Sequence, residues 1–502
     1  MNLLRCSCWF VPVCITATLA RAAAAAPVPD DPEVSTIPAE PAIGEPGTLP
    51  PQPRYAAPPL QPPTTGGGAR HRREPDAGTP ASRGDRAARR DGLGILTRGA
   101  PAPASDDSWA RPKGEAERMA ERALGDHAIY KAGQGITWTT KDKHFALSLG
   151  VGGQFLYTVN DQHPPPAGAP QTSQTLEIRR MRLFFSGNLF SPTVKYYAQL
   201  QFSPRDLGYS AGTIKQSPVF MAWMRFERFP NLVPQVGMFF IPWSRQRVTP
   251  ILKLQMIDFS LASSEFGLER DIGVDLGSKD LFKLGKLRYH LGVFLGEGTE
   301  FAKPNDFGMI YYGRLEVQPL GDFDDYVEAD LARRRKPKLS IGAGYAFADN
   351  DTRTKAIGGA APSDGGTTDT QNLTADLMFK VRGFSLMGDV WWRQGHRNFG
   401  NATLVADDGT TRPAPKEAAR NGIGWTGQAG FLIPHAPIEI AARVSGVRGL
   451  GRTSIVDQDE AGPGLSYYFA EHALKLQADF VHIWGDGGLR GDRARVQLAF
   501  QF

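Results

Sequence analysis

Thiols are almost missing from this chain. Of 502 residues only Cys6, Cys8 and Cys14 are cysteine, so nothing after them can form a disulfide or a thiolate metal site. Long hydrophobic runs are missing too. Past the leader no stretch reaches the roughly eighteen apolar residues of a helical span, and the mean hydropathy is −0.31, so helical membrane crossings are excluded. A dominant charge is absent as well: 57 Lys and Arg against 52 Asp and Glu leave a net charge of +5. Residues 1–127 are neutral and carry none of that excess. Any ion preference must therefore come from where the cations sit. No His-Glu-x-x-His, Gly-x-Ser-x-Gly, Cys/His metal spacing or phosphate-cradling glycine loop occurs. No catalytic residue, metal ligand or cofactor is assigned, and the chain is not expected to be an enzyme. His482, between Phe480 and Trp484, is read as packing near a strand end rather than catalysis.

What is present is alternation. The last residues set Ala494, Val496, Leu498, Phe500 and Phe502 against Arg493, Arg495, Gln497 and Gln501, a strand with one apolar and one wet face. From His144 onward about sixteen such segments follow, each near the ten residues of a tilted membrane strand. Short turns at Phe229–Asn231, Arg382–Phe384, Pro434–Pro437 and Glu471–His472 alternate with long polar loops at Asn160–Gln174, Ser244–Glu269, Ala348–Thr370, Arg393–Arg420 and Val447–Gly462. A soluble sandwich does not predict that rhythm. The reading is all-β: a transmembrane antiparallel β-barrel of about 16 strands over residues 125–502, with both ends and the short turns periplasmic. One short-side connection, Leu320–Lys336, breaks the rule, and no pattern in the sequence accounts for its length.

Two segments precede the barrel. Residues 1–26 read as a signal peptide, with Arg5, an apolar run and the alanine tract Ala22–Ala26. Residues 27–124 are rich in Pro, Ala and Gly and predict a disordered periplasmic extension, ending in a short amphipathic helix at Glu115–Leu124. His71–Arg73 and Arg83–Asp85 lie in this low-complexity stretch, and no nucleic-acid partner is assigned to them.

An arginine on the lipid face near midplane costs about 2–4 kcal/mol, so strand cations are expected to point inward. Alternation places Arg180, Arg182, Lys195, Arg225, Arg288, Arg314, Lys380, Arg443 and Lys475 in the lumen, with Glu227, Glu316, Asp376, Asp389, Glu439 and Asp479 beside them. The long loop Ser244–Glu269 adds Arg245, Arg247, Lys253 and the hydroxyls of Ser260, Ser263 and Ser264, and Arg270 follows it. The candidate pore and anion-binding set is thus Arg180, Arg182, Lys195, Arg225, Arg245, Arg247, Lys253, Arg270, Arg288 and Arg314. Arg443 is expected to lie farther from the constriction. Trp223, Trp243, Trp391, Trp392, Tyr467, Tyr468 and Trp484 are read as interfacial aromatics.

Three motifs in order, Ile178-Arg-Arg-Met-Arg-Leu183, Gln235-Val-Gly-Met-Phe-Phe-Ile-Pro-Trp243 and Glu269-Arg-Asp-Ile-Gly-Val274, resemble the phosphate-selective porin O and P family of bacterial outer membranes. The similarity runs over roughly Gly125 to Phe502. It implies a sixteen-stranded, usually trimeric barrel in the outer membrane of a Gram-negative bacterium, with an Arg and Lys ladder and a third external loop folded inward. The partners implied are outer-membrane lipid, small anionic or hydrophilic solutes, and the barrel assembly machinery, met through the C-terminal strand ending in Phe502. Two other readings stay open: a non-selective general-diffusion pore, and a structural protein tethered to the cell wall by its extension.

Overall fold

The computed structural model describes residues 128–165, 170–209, 213–214, 216–298, 308–405 and 409–502. The signal peptide, the extension and its terminal helix lie outside the described residues. A hairpin, β1 (Ala128–Lys131) and β2 (Gly135–Thr139), leads into sixteen antiparallel strands that close on themselves. The first two, β3 (Ala146–His163) and β4 (Thr172–Asn188), run 18 and 17 residues. Six follow of 8 residues each: β5 (Val194–Gln201), β6 (Val219–Phe226), β7 (Val233–Phe240), β8 (Arg270–Gly277), β9 (Leu287–Phe294) and β10 (Ile310–Val317). The wall rises again through β11 (Lys338–Asp351), β12 (Thr367–Val381) and β13 (Phe384–Asn398). A small hairpin, β14 (Thr403–Val405) and β15 (Thr411–Pro413), sits in the next connection. Then come β16 (Gly422–Leu432), β17 (Ile438–Gly449), β18 (Gln458–Ala470), β19 (Leu474–Gly485) and β20 (Arg490–Gln501).

Alternation decides which face each residue takes. Between β19 and β20, Leu476 opposes Leu498 and Phe480 opposes Ala494 on the outside, while Gln477 opposes Gln497 and Asp479 opposes Arg495 inside. The seam repeats the pattern, with Leu498 on Phe155 and Val496 on Tyr157 outside and Arg495 on Thr158 within. An outer wall of such exposed apolar side chains around a polar interior suits a barrel standing in lipid. At the seam, Phe502 exchanges two backbone hydrogen bonds with Val151, of 3.1 and 2.7 Å. Its ring lies 5.0 Å from that of Tyr130. The hairpin strand β2 continues the same edge of β3, pairing Ile136 with Leu149, so the first described hairpin and the last strand meet along β3.

The connections separate the two rims. On the rim that carries the barrel's ends the chain turns within a few residues, as between β12 and β13, where only Arg382 and Gly383 intervene. Long connections lie on the far rim, although several strands reach farther into them than the sequence pattern predicts: β3 runs to His163 and β13 to Asn398. The odd connection between β10 and β11 explains itself in space. Residues 318–337 fold up into the bore, where Asp325, Glu328 and Asp330 are buried.

A second segment enters from the far rim. Between β7 and β8 the chain forms α1 (Arg245–Val248), a 3-10 turn at Ile251–Lys253, and α2 (Leu261–Phe266), all inside the barrel. An apolar core therefore forms inside the wall, joining Ile241, Trp243, Ala262 and Phe266 to Phe239, Phe294, Tyr312 and Trp391. This corrects the aromatic reading: Trp243, Trp391 and Tyr468 are fully buried in the interior and Trp223 faces inward against the same core, while Tyr467 and Trp484 do face outward. Two glycines admit the loop. A Cβ on Gly424 would sit 2.6 Å from the Phe266 ring, and one on Gly344 would sit 2.6 Å from the Trp243 carbonyl oxygen.

The seam yields a prediction. Deleting Phe502 removes both backbone bonds to Val151 and the Tyr130 contact, so far less chain should reach the heat-modifiable folded form seen on gels; unchanged yield would count against this role.

Candidate functional site

The inward loop is held by buried charge. Arg245, wholly buried, donates from Nε to Asp376 Oδ1 on β12 at 2.7 Å, from Nη1 to Asp325 Oδ2 at 2.6 Å, and from Nη2 to Ser340 Oγ at 2.9 Å. Arg314 on β10 donates to the Trp243 carbonyl at 3.0 Å and to Glu316 and Asp376. Arg288 pairs with Glu316 at 2.8 Å and Asp325 at 2.5 Å. Three guanidiniums thus meet three carboxylates drawn from the wall and from both inward segments. Removed from bulk solvent, each buried charge is tolerable only because its partners are in place.

Further clamps complete the packing. Glu328 accepts from the Gln255 amide at 2.7 Å, and its own amide donates to the Lys253 carbonyl at 3.2 Å, joining the two inward segments directly. Buried Lys475 donates to the Leu254 carbonyl at 2.8 Å, and buried Lys380 donates to the carbonyls of Asp324 and Val327. Glu265 on α2 takes a two-pronged bond from Arg420, of 2.6 and 2.8 Å, and an ion pair from Lys355 at 2.7 Å. Burial would raise the Glu265 carboxyl, but Arg420, Lys355 and Arg393 lower it below its usual value. Ser260 caps α2 and bonds Gln246 and Thr426, and Ser263 is buried as well. The Ser260 hydroxyl thus serves the helix and the wall rather than a channel.

The opposite wall is less covered. Opposite Gln154 on β3, strand β4 carries an extra residue: Arg180 pairs with Gln154 and Ile178 pairs with Phe155, leaving Arg179 as a bulge. A bulge shifts the alternation by one. Arg179, Arg180 and Arg182 therefore all face the lumen, while Ile178 and Met181 face out. Arg179 and Arg180 keep 16% and 14% of their side-chain exposure and Arg288 keeps 17%, where Arg245 and Arg314 keep none, so the β4 wall is less covered than the centre of the buried network.

Asp258, at the inner edge of the loop, faces this cluster. Arg179 Nη2 lies 2.8 Å from its carboxylate, Arg495 3.8 Å and Arg180 3.9 Å. Burial would raise the Asp258 carboxyl, yet Arg180, Arg179 and Arg495 outweigh it and hold it well below the usual range. Arg443 donates to the Asp258 carbonyl at 2.7 Å and pairs with Glu460 at 2.9 Å. It therefore touches the loop, contrary to the expectation that it lies apart. Among the described residues Arg493 bonds Asn160, at 3.4 Å, and makes no ion pair.

The predicted cations divide accordingly. Arg180 and Arg182 stand on the wet side, Arg182 bound to Asp206 through bonds of 3.2 and 3.1 Å. Arg182 and Arg270 stack 3.6 and 3.7 Å from the centre of the Phe220 ring, necessarily on opposite faces since one face cannot hold both. Arg247 pairs with Glu269 and lies 4.6 Å over Phe259. Lys195 and Arg225 are cross-strand partners nearer the terminal rim. Lys253 makes no ion pair among the described residues, and Arg245, Arg288 and Arg314 are bound up in the buried network. Simple alternation missed Arg179, because a bulge is not visible in a polar run, and Asp258, because only the loop's path brings it across.

No protein-family model matches the chain, and no curated protein matches it. Solved structures do resemble it in fold. Salmonella typhi OmpF, in complex with daunomycin, is 12% identical with a TM-score of 0.46, over 75% of this chain and 100% of that one. Pseudomonas aeruginosa OccK9 (OpdG) is 14% identical with a TM-score of 0.40, over 71% and 98%. A mutant Rh. blastica porin is 13% identical with a TM-score of 0.41, over 70% and 100%. Likeness this slight leaves the solute to the chain's own geometry.

Two outcomes are expected. A carboxyl depressed in the folded state contributes its stability above about pH 4 and loses it only as pH falls through the lowered value. Ion selectivity set around Asp258 should thus stay flat from about pH 7 to pH 4, and a change in reversal potential across that window would count against the clasp. Replacing Asp325 by Ala strips Arg245 and Arg288 of a buried partner and should cost about 3–5 kcal/mol in urea unfolding, whereas the exposed Asp142→Ala should cost little.

Proposed function

We propose that the protein is an outer-membrane channel of a Gram-negative envelope, passing small hydrophilic solutes with a preference for anions. The observation that carries this reading is the β4 bulge, which turns Arg179 beside Arg180 toward the less covered side of the bore. A narrow, water-filled passage lined by guanidiniums lowers the energy of an anion and raises that of a cation. The paired donors of a guanidinium suit tetrahedral oxyanions, which places phosphate within the proposed solute range.

The general-diffusion alternative leans on mutual neutralisation of lumen charge. On the packed side Arg245, Arg288 and Arg314 meet Glu316, Asp325 and Asp376. Along β4 and β20, Asp206, Asp258 and Asp479 pair Arg182, Arg179 and Arg495, but Arg493 has no ion pair among the described residues. In this reading the termini are periplasmic, the C-terminal strand meets the assembly machinery, and the 8-residue strands β5 to β10 seat against other copies in the trimer that the resemblance implies. Eight residues span about 26 Å before tilt, a low wall for a hydrocarbon layer of about 30 Å.

Reversal potentials in a KCl gradient test the proposal. The wild type should favour chloride, and Arg180→Glu combined with Arg493→Glu should move the preference toward potassium while the barrel stays folded. The preference should also weaken as salt rises, since the Debye length falls from about 10 Å at 0.1 M to about 3 Å at 1 M. A cation-preferring wild type, or a double charge reversal without effect, would remove the anion reading.

A further inference from the structure

The wet wall does not continue as a ladder of cations. Below Arg182 the inward positions of β4, β5 and β6 carry Phe184, Tyr197 and Trp223, all half-buried. Tyr197 and Trp223 are cross-strand partners whose rings stack at 5.5 Å and 17°. One side of Trp223 leans on the inner apolar core. Next along the wall come Lys195 and Arg225, also cross-strand partners, with the Arg225 guanidinium 4.7 Å over the Trp223 ring. The order toward the terminal rim is therefore cations, aromatic ledge, cations. Phe184 follows two positions after Arg182, about 7 Å on, and Tyr197 pairs with Ser186 four positions on, so the Tyr197–Trp223 pair lies about 13 Å below Arg182.

Aromatic faces do nothing for a bare inorganic anion. The face of the ring carries the negative part of its quadrupole and repels such an ion, whereas an apolar or aromatic body gains by stacking on it. Resting on the anion reading above, we propose that the solutes this channel favours are organic anions with a planar apolar body, aryl carboxylates being the simplest case. The carboxylate is taken by Arg180 on the wall above, the ring slides past Tyr197 and Trp223, and Lys195 and Arg225 receive the charge at the lower tier.

The test uses the full-length protein in planar bilayers with potassium benzoate and potassium acetate added to KCl. Benzoate should interrupt the current at a concentration about two- to tenfold lower than acetate, the range expected of one aromatic stacking contact. In Tyr197→Ala with Trp223→Ala that gap should close while the chloride-to-potassium preference remains, and Trp223→Phe should retain it. If the double variant does not insert, Phe184→Ala should narrow the gap. Benzoate and acetate acting alike on an anion-preferring wild type, or a gap unchanged in the double variant, would overturn this inference and leave the anion reading standing. A cation-preferring wild type would overturn both.

Discussion

Everything inside this barrel depends on burying Arg245. A guanidinium removed from water is tolerable only when its donors are met, and here they are met by Asp376 of the wall, Asp325 of the segment rising from the terminal rim, and Ser340. That one requirement pulls two loops from opposite rims into contact and pins both against β10 to β12. The apolar core around Trp243, Phe266 and Trp391 then packs where a bare barrel would hold water. Packed on one side, the bore keeps its wetter surface on the other.

Electrostatic bookkeeping follows from this asymmetry. Acids and bases on the packed side cancel among themselves, so they set the shape of the passage rather than its sign. On the wet side the cancellation is incomplete: Asp258 is shared among Arg179, Arg180 and Arg495, although Arg495 also holds Asp479, and among the described residues Arg493 bonds an amide oxygen but no carboxylate. A chain with a net charge of +5 spread over 502 residues can thus present a locally cationic passage.

Much of the architecture was legible because barrel physics writes itself into period-two patterns. Lys475, Gln477 and Asp479 had to share a face, and they do, since the alternative was charge in lipid. The inward fate of Arg314, Lys380 and Arg443 followed from the same cost. What failed were inferences that needed more than parity. Trp243, Trp391 and Tyr468 looked like interfacial aromatics because a strand end gives no sign of whether a ring faces lipid or an inward loop. Arg443 looked remote because its contact, the Asp258 carbonyl, belongs to a segment about 185 residues earlier in the chain.

The sequence by itself determined the closed all-β wall, the face of most strand residues and the unequal connections, because each is a local consequence of alternation and of keeping charge out of lipid. Tertiary structure alone decided which cations remain available to a solute. Arg245 and Arg180 are the same residue type and both were placed in the lumen, yet one is wholly buried among carboxylates and the other faces the wet bore. The difference lies in long-range pairing: Arg245 reaches Asp376 across 131 residues, and the bulge that turns Arg179 beside Arg180 exists only in register with β3.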